Sequence, residues 1–154
     1  MASLRTVCTA IAALSVSFTK EAGGTATPTA YDVEASPGVI NAADLPVRII
    51  GLTRGATSSD FARLTGTAAD VRVTHAITEL ALIERVGLSR VRDEWPDVMR
   101  YVDALVGVLA ANRDIATKCE ISNAASSRAV YEYPFSSGDF FYGAQTQIQI
   151  IETG

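Results

Sequence analysis

The sequence predicts an α+β fold: a mixed or antiparallel sheet of about four to five strands packed against two helices, in a single domain spanning residues 1–154. Three observations predict it. Two segments, 3–19 and 94–111, repeat apolar residues at spacings of three and four, the period of one helix face. Four other segments alternate or run apolar over strand-like lengths. A chain of 154 residues, 48% hydrophobic and 19% charged, has the composition of one ordered domain with enough interior for a core.

In the first helix Leu4, Val7, Cys8, Ile11, Leu14 and Phe18 share a face, and Gly23 and Gly24 end it. Residues 21–44 are rich in Thr, Ala, Pro and Gly without a sustained period, so an extended arm over the surface is expected. LPVRIIGL (45–52) reads as a short β-branched strand, and TRGATSSDFARLTGTAAD (53–70) as a second long loop. VRVTHAITELALIERV (71–86) is the longest strand. Val71, Val73, His75 and Ile77 share one face; after Glu79 the run LALI is apolar on both sides, which suggests a bulge or a change of surroundings there. GLSRVRDEW leads into the second helix, with Asp93 as N-cap, Pro96 in the first turn, Asp97 favouring the dipole, and Val98, Val102, Leu105 and Leu109 as core stripe. After a polar connection, two strands follow around SSGD. Ala129, Tyr131, Tyr133 and Phe135 alternate in the first; in the second Phe140, Tyr142, Ala144, Thr146, Ile148 and Ile150 oppose Gln145, Gln147 and Gln149.

Net charge is −4, with no run of Lys or Arg, which argues against nucleic-acid recognition through clustered positive charge. The only lysines are Lys20 and Lys118; the other basic residues are Arg, suited to multi-donor contacts at interfaces. Cys8 and Cys119 form neither a disulfide framework nor a metal spacing. No run reaches the roughly 18 apolar residues of a membrane span. Arg5 followed by VCTAIAALSVSF faintly resembles a secretion signal, but Thr9, Ser15 and Ser17 interrupt it.

His75 is the only histidine. A general base needs an orienting partner and a nucleophile or water site, and a metal needs further ligands. Alternation supplies only Val73 and Ile77 beside it, so His75 reads as a packed sheet residue hydrogen-bonded to a neighbour. No catalytic, cofactor or metal residue is therefore assigned. Arg90, Arg92, Asp93 and Glu94 form a charged knot before the second helix, read as a self-satisfied turn. Gly23-Gly24 carries no phosphate-loop pattern.

The helices are short of charge. From Val98 to Leu109 only Arg100 and Asp103 are ionic, and Met99, Tyr101, Val106 and Val108 extend apolar atoms beyond one core stripe; the first helix is uncharged from Thr6 to Thr19. A neighbouring subunit covering this second side is the expectation.

Two segments, VTHAITELALIERVGLSRVRDEWPDVMRYVDALVGVLAAN (73–112) and FFYGAQTQIQIIE (140–152), resemble the tail terminator proteins of long-tailed bacteriophages. The resemblance implies an α+β subunit of a homohexameric ring at the head-proximal end of the tail, assembled in the host cytoplasm. That ring ends tail-tube growth, with tail tube protein and the head-tail connector or neck protein as partners. It implies no cofactor, no membrane and no sequence-specific DNA binding, though DNA passes through such a ring. The long loop, with Arg54, Asp60 and Arg63, and the arm are the expected tube-facing elements, neither of them a strand edge. The alternatives are a tail tube or neck subunit, a small secreted binding domain, and an enzyme built on His75.

Overall fold

The computed structural model describes residues 2–32, 35–51, 61–87, 91–134 and 137–154, with the side chains of 61 and 91–94 left aside. In chain order the elements are α1 (Leu4–Ala12), β1 (Phe18–Thr19), β2 (Thr25–Ala26), β3 (Thr29–Asp32), β4 (Val47–Ile50), β5 (Phe61–Thr67), β6 (Asp70–Arg85), α2 (Val91–Ala111), β7 (Asp114–Ala116), β8 (Cys119–Glu132) and β9 (Phe140–Thr153). A 3-10 turn at Ala42–Asp44 precedes β4.

One seven-stranded sheet runs β3-β4-β6-β9-β8-β7, with β5 on β6 beside β4, and β1 and β2 form a separate ribbon. All pairings in the sheet are antiparallel except β3 with β4. Strands hold 49% of the chain and the sheet curls, so the expected four to five strands against two helices is corrected to a sheet-dominated fold. The added strands come from segments read as loop: β3 lies in the arm, β5 in the 53–70 loop, and β7 with the first half of β8 in the polar connection. Most of them carry side chains that stay exposed, so no inside–outside alternation marks them.

Both helices pack on one face of the sheet. Val7, Cys8 and Ile11 of α1 and Val98, Tyr101, Leu105 and Leu109 of α2 meet Ile77, Ala81, Ile148 and Ile150. The opposite face is split. Near β4, Leu80, Leu82, Tyr131 and Phe141 form a second cluster with Tyr31 and Ile40 of the arm and Leu45 just after it. This double covering explains the two-sided LALI run. The bulge itself falls between Leu82 and Glu84, later than the expected Glu79. Further along, that same face carries Asn123, Ala125, Ser127, Gln145, Gln147 and Gln149, a surface with no fixed charge.

Several boundaries are corrected. α1 ends at Ala12, and Phe18 is the first residue of the ribbon. The arm is packed rather than extended: Glu21 pairs with Arg100 at 2.6 Å, its amide donates to Asp97 at 2.6 Å, and Arg100 donates to the Thr19 carbonyl. Asp97 thus anchors the arm as well as lying near the helix start. α2 begins at Val91, so Asp93 lies inside its first turn rather than capping it, and Pro96 falls one turn further in than expected. Of the loop at 53–70, Arg54 and Asp60 lie outside the described residues, and Arg63 stands on β5, an exposed sheet edge that the sequence does not announce.

One glycine is required by close approach. A Cβ at Gly143 would stand 2.1 Å from the Ala81 carbonyl oxygen, inside the β6–β9 ladder. Gly66, with φ +101°, turns the β5–β6 hairpin where a Cβ would strike the Asp70 carbonyl.

Candidate functional site

His75 lies on β6 at 1% exposure, with Val73 and Ile77 on its face. Its Nε2 is 3.2 Å from Oε2 of Glu152 on β9, and the Ala2 amide donates to the other carboxylate oxygen at 2.8 Å. Burial would raise the Glu152 pKa, but the Ala2 amide and His75 together hold it below the ordinary carboxylate range. Cys119 opposes Glu152 in the β8–β9 register. Burial, and then the Glu152 charge, push its thiol up, the reverse of what an activated nucleophile needs. The group is sealed from solvent, with Nδ1 of His75 buried and lacking a hydrogen-bond partner among the described residues, and its geometry fits a packed sheet residue.

A second buried polar group was not foreseen. Arg48 on β4 is fully buried; its Nε donates to Glu79 Oε1 on β6, and its Nη atoms donate to the carbonyls of Leu14 and Ile11. Those carbonyls lie at the end of α1 and just after it; that of Ile11 also accepts from the Leu14 N–H at 3.1 Å, and that of Leu14 lies past the last helical turn. The Tyr101 hydroxyl of α2 donates to the same Glu79 oxygen at 2.9 Å. Burial first, and Glu79 second, raise the Tyr101 pKa well above its usual value. One arginine therefore joins α1, the sheet and, through Glu79, α2. The signal was present: Arg48 interrupts an otherwise apolar VRII run whose residues are all buried, and Glu79 interrupts ITELALI.

The charged knot is only partly open to view, since Arg90 and the side chains of Arg92, Asp93 and Glu94 lie outside the described residues. One cleft, about 620 Å³, is lined by Arg72, Arg113, Lys118, Asp114 and Glu120 among others. Its charges are mixed, and Arg113 already pairs with Glu120 at 2.9 Å. Among the described residues no group of three His, Cys, Asp or Glu could hold a metal ion, and no helix is long and apolar enough to cross a membrane.

The helix surface resolves differently for each helix. The outer side of α1 carries Arg5, Thr6 and Thr9, an ordinary wetted face, so the expectation of an undercovered first helix is corrected. On α2, Val98, Leu105 and Leu109 are buried as expected, and Tyr101, expected outside the stripe, joins them. Met99 and Val106 remain 50% and 49% exposed. Seven residues apart, they lie on one side of α2, the side facing β8. Two open clefts separate the helix from that strand. One of about 250 Å³ is lined by Met99, Val102, Asp103, Ser126 and Arg128; the other, about 300 Å³, by Val106, Leu109, Ala110 and Ala124 among others. β8 is held on one side by β9, whereas β7 reaches only Cys119 and Glu120. This combination of exposed helix and exposed strand is the candidate functional surface. Compared with models of protein families, with curated proteins and with solved structures, the chain matches none.

Proposed function

We propose that this chain is a structural subunit whose working surface is the α2–β8 side, and that it acts by closing a ring with copies of itself. Within that class we propose a phage tail terminator, located in the virion at the head-proximal end of the tail, with tail tube protein on one side of the ring and the neck on the other. The supporting observation is the pair Met99 and Val106, half exposed on a helix whose Val98, Tyr101, Leu105 and Leu109 are buried. Large apolar side chains grouped along a helix and a strand edge fit a protein partner better than they fit solvent. The segments 73–112 and 140–152 that carry the resemblance form β6, α2 and β9, the frame on which this surface is built.

A heterologous interface that closes leaves no unsatisfied copy of itself, whereas one that does not close makes a filament. The test is light scattering and electron imaging of the pure protein, alone and with tail tube protein. Rings, or short closed stacks that cap tubes, are expected. Long regular tubes from the pure protein would replace the terminator with a tube subunit, and a strict monomer in both conditions would overturn the ring.

A further inference from the structure

We infer that α1, with the residues on either side of it, is a strap that lifts from the sheet as a unit while the rest of the fold stays intact. Such a strap belongs to the single subunit and is independent of the ring reading.

α1 does not stand by itself. Its residues, LRTVCTAIA, include the β-branched Thr6, Val7, Thr9 and Ile11, and a helix this short is marginal in water even when built from better formers. It has no acidic residue in its first turn and no basic residue in its last, so its own sequence leaves both ends of its dipole unmatched. The sheet supplies both charges. At the start, Glu152 of β9 accepts from the Ala2 amide at 2.8 Å, just before the N-cap Ser3. At the end, Arg48 of β4 donates to the carbonyls of Ile11 and Leu14 and is itself held by Glu79. Between these two ties the helix buries only Val7, Cys8 and Ile11.

Each tie carries a cost while the strap is closed. Among the described residues two buried side-chain atoms lack a hydrogen-bond partner, Nδ1 of His75 and Oε2 of Glu79. His75 meets the Glu152 carboxylate through Nε2 at 3.2 Å, and Glu79 is the counter-ion of Arg48. Both orphaned atoms therefore belong to the groups that hold the ends of α1. A polar atom buried without a partner has given up water and gained nothing, so it opposes closure. Lifting α1 lets water reach these atoms and the Arg48 guanidinium, and opening recovers part of what it loses.

The chain also has a place to pivot. Ser15 is exposed, whereas Val16 and Phe18 just beyond it are packed in the core. Residues 2–14 are then what moves. They uncover the apolar floor that α1 shares with α2, where Ile77, Ile148 and Ile150 lie. The strap thus gates an apolar surface, and weakening either tie opens it.

Cys8, on the buried side of α1 at 7% exposure, reports the motion. The test treats the folded chain with N-ethylmaleimide at neutral pH, in urea below the unfolding transition. Peptide mass spectrometry follows Cys8 separately from Cys119. If α1 lifts alone, the rate at Cys8 should change by under about twofold per molar urea, because little surface is exposed. If only unfolding of the whole domain reaches Cys8, the rate should climb about thirtyfold per molar. A second arm uses Ser3→Ala, an exposed substitution that removes the acceptor for the Thr6 amide. It should speed modification of Cys8 about fivefold. A steep urea dependence, or no modification of Cys8 before the transition, would overturn the strap. So would a flat dependence that Ser3→Ala leaves unchanged.

Discussion

Replacing Glu79 by Gln keeps the shape of the side chain and a carbonyl oxygen for Tyr101, yet removes the charge facing Arg48. The guanidinium is then buried without a counter-ion, at 0% exposure, between α1 and the sheet. Breaking a buried pair from one side costs about 3–5 kcal/mol, against about 5–15 kcal/mol for a whole domain. With a urea dependence near 2 kcal/mol per molar, the unfolding midpoint should fall by about 2 M. The double variant Arg48→Met/Glu79→Leu removes both charges. It should lose less than Glu79→Gln alone, although the Leu14 carbonyl then lacks its donor, at about 1–3 kcal/mol if water does not reach it; the Ile11 carbonyl keeps the Leu14 N–H. Urea melts of Arg48→Met, Glu79→Leu and the double, read by circular dichroism, give the coupling directly. A Glu79→Gln cost below about 1 kcal/mol, or single costs that simply add, would refute the claim that this pair ties the helices to the sheet.

Gly143→Ala forces a methyl into the Ala81 carbonyl, so the melt should shift by the equivalent of about 1–3 kcal/mol, a loss that Gly38→Ala, with no atom near its Cβ and no positive φ, should not reproduce. Glu152 has a folded pKa below its unfolded one, so its contribution is present above the unfolded value and disappears as pH falls through the folded value. Stability measured from neutral pH down through the carboxylate range should therefore decline, and Glu152→Gln should flatten part of that slope. Val106→Glu places a charge on the exposed side of α2, so sedimentation should show dissociation of the assembly while the urea midpoint of the subunit moves by under about 0.5 kcal/mol equivalent.

What could be read from the sequence was whatever one-sided burial writes into it. β6, α2 and β9 show through their apolar periods because each has a face in the core. β5 and the outer half of β8 are exposed on both faces, and NAASSRAV has few of the branched or aromatic residues that announce a strand; pairing with β6 and β9 makes them strands. The arm misled in another way, because its order comes from contacts with residues far along the chain, such as Asp97 and Arg100. At the candidate surface, the shortage of charge on α2 located Met99 and Val106 correctly but overreached to α1, whose wet face is made of threonines. His75 was legible as a sheet residue from its neighbours. Its partner Glu152, 77 positions away, depends on a register that alternation does not reveal.

The place of β9 sets when this molecule can exist at all. β9 comes later in the chain than β6 and β8, yet is inserted between them. Until it arrives, β5, β6, β4 and β3 make one partial sheet and β7 with β8 another, and Ile77 and Ala81 have no Ile148 or Ala144 to cover them. Folding during synthesis from the N-terminal end is therefore of little use here, and pairings so distant in sequence form slowly. Nascent chains can join the two partial sheets only once β9 emerges. A ribosome that stalls before Phe140 releases two sheet halves with open edges, material for proteases and chaperones rather than for assembly.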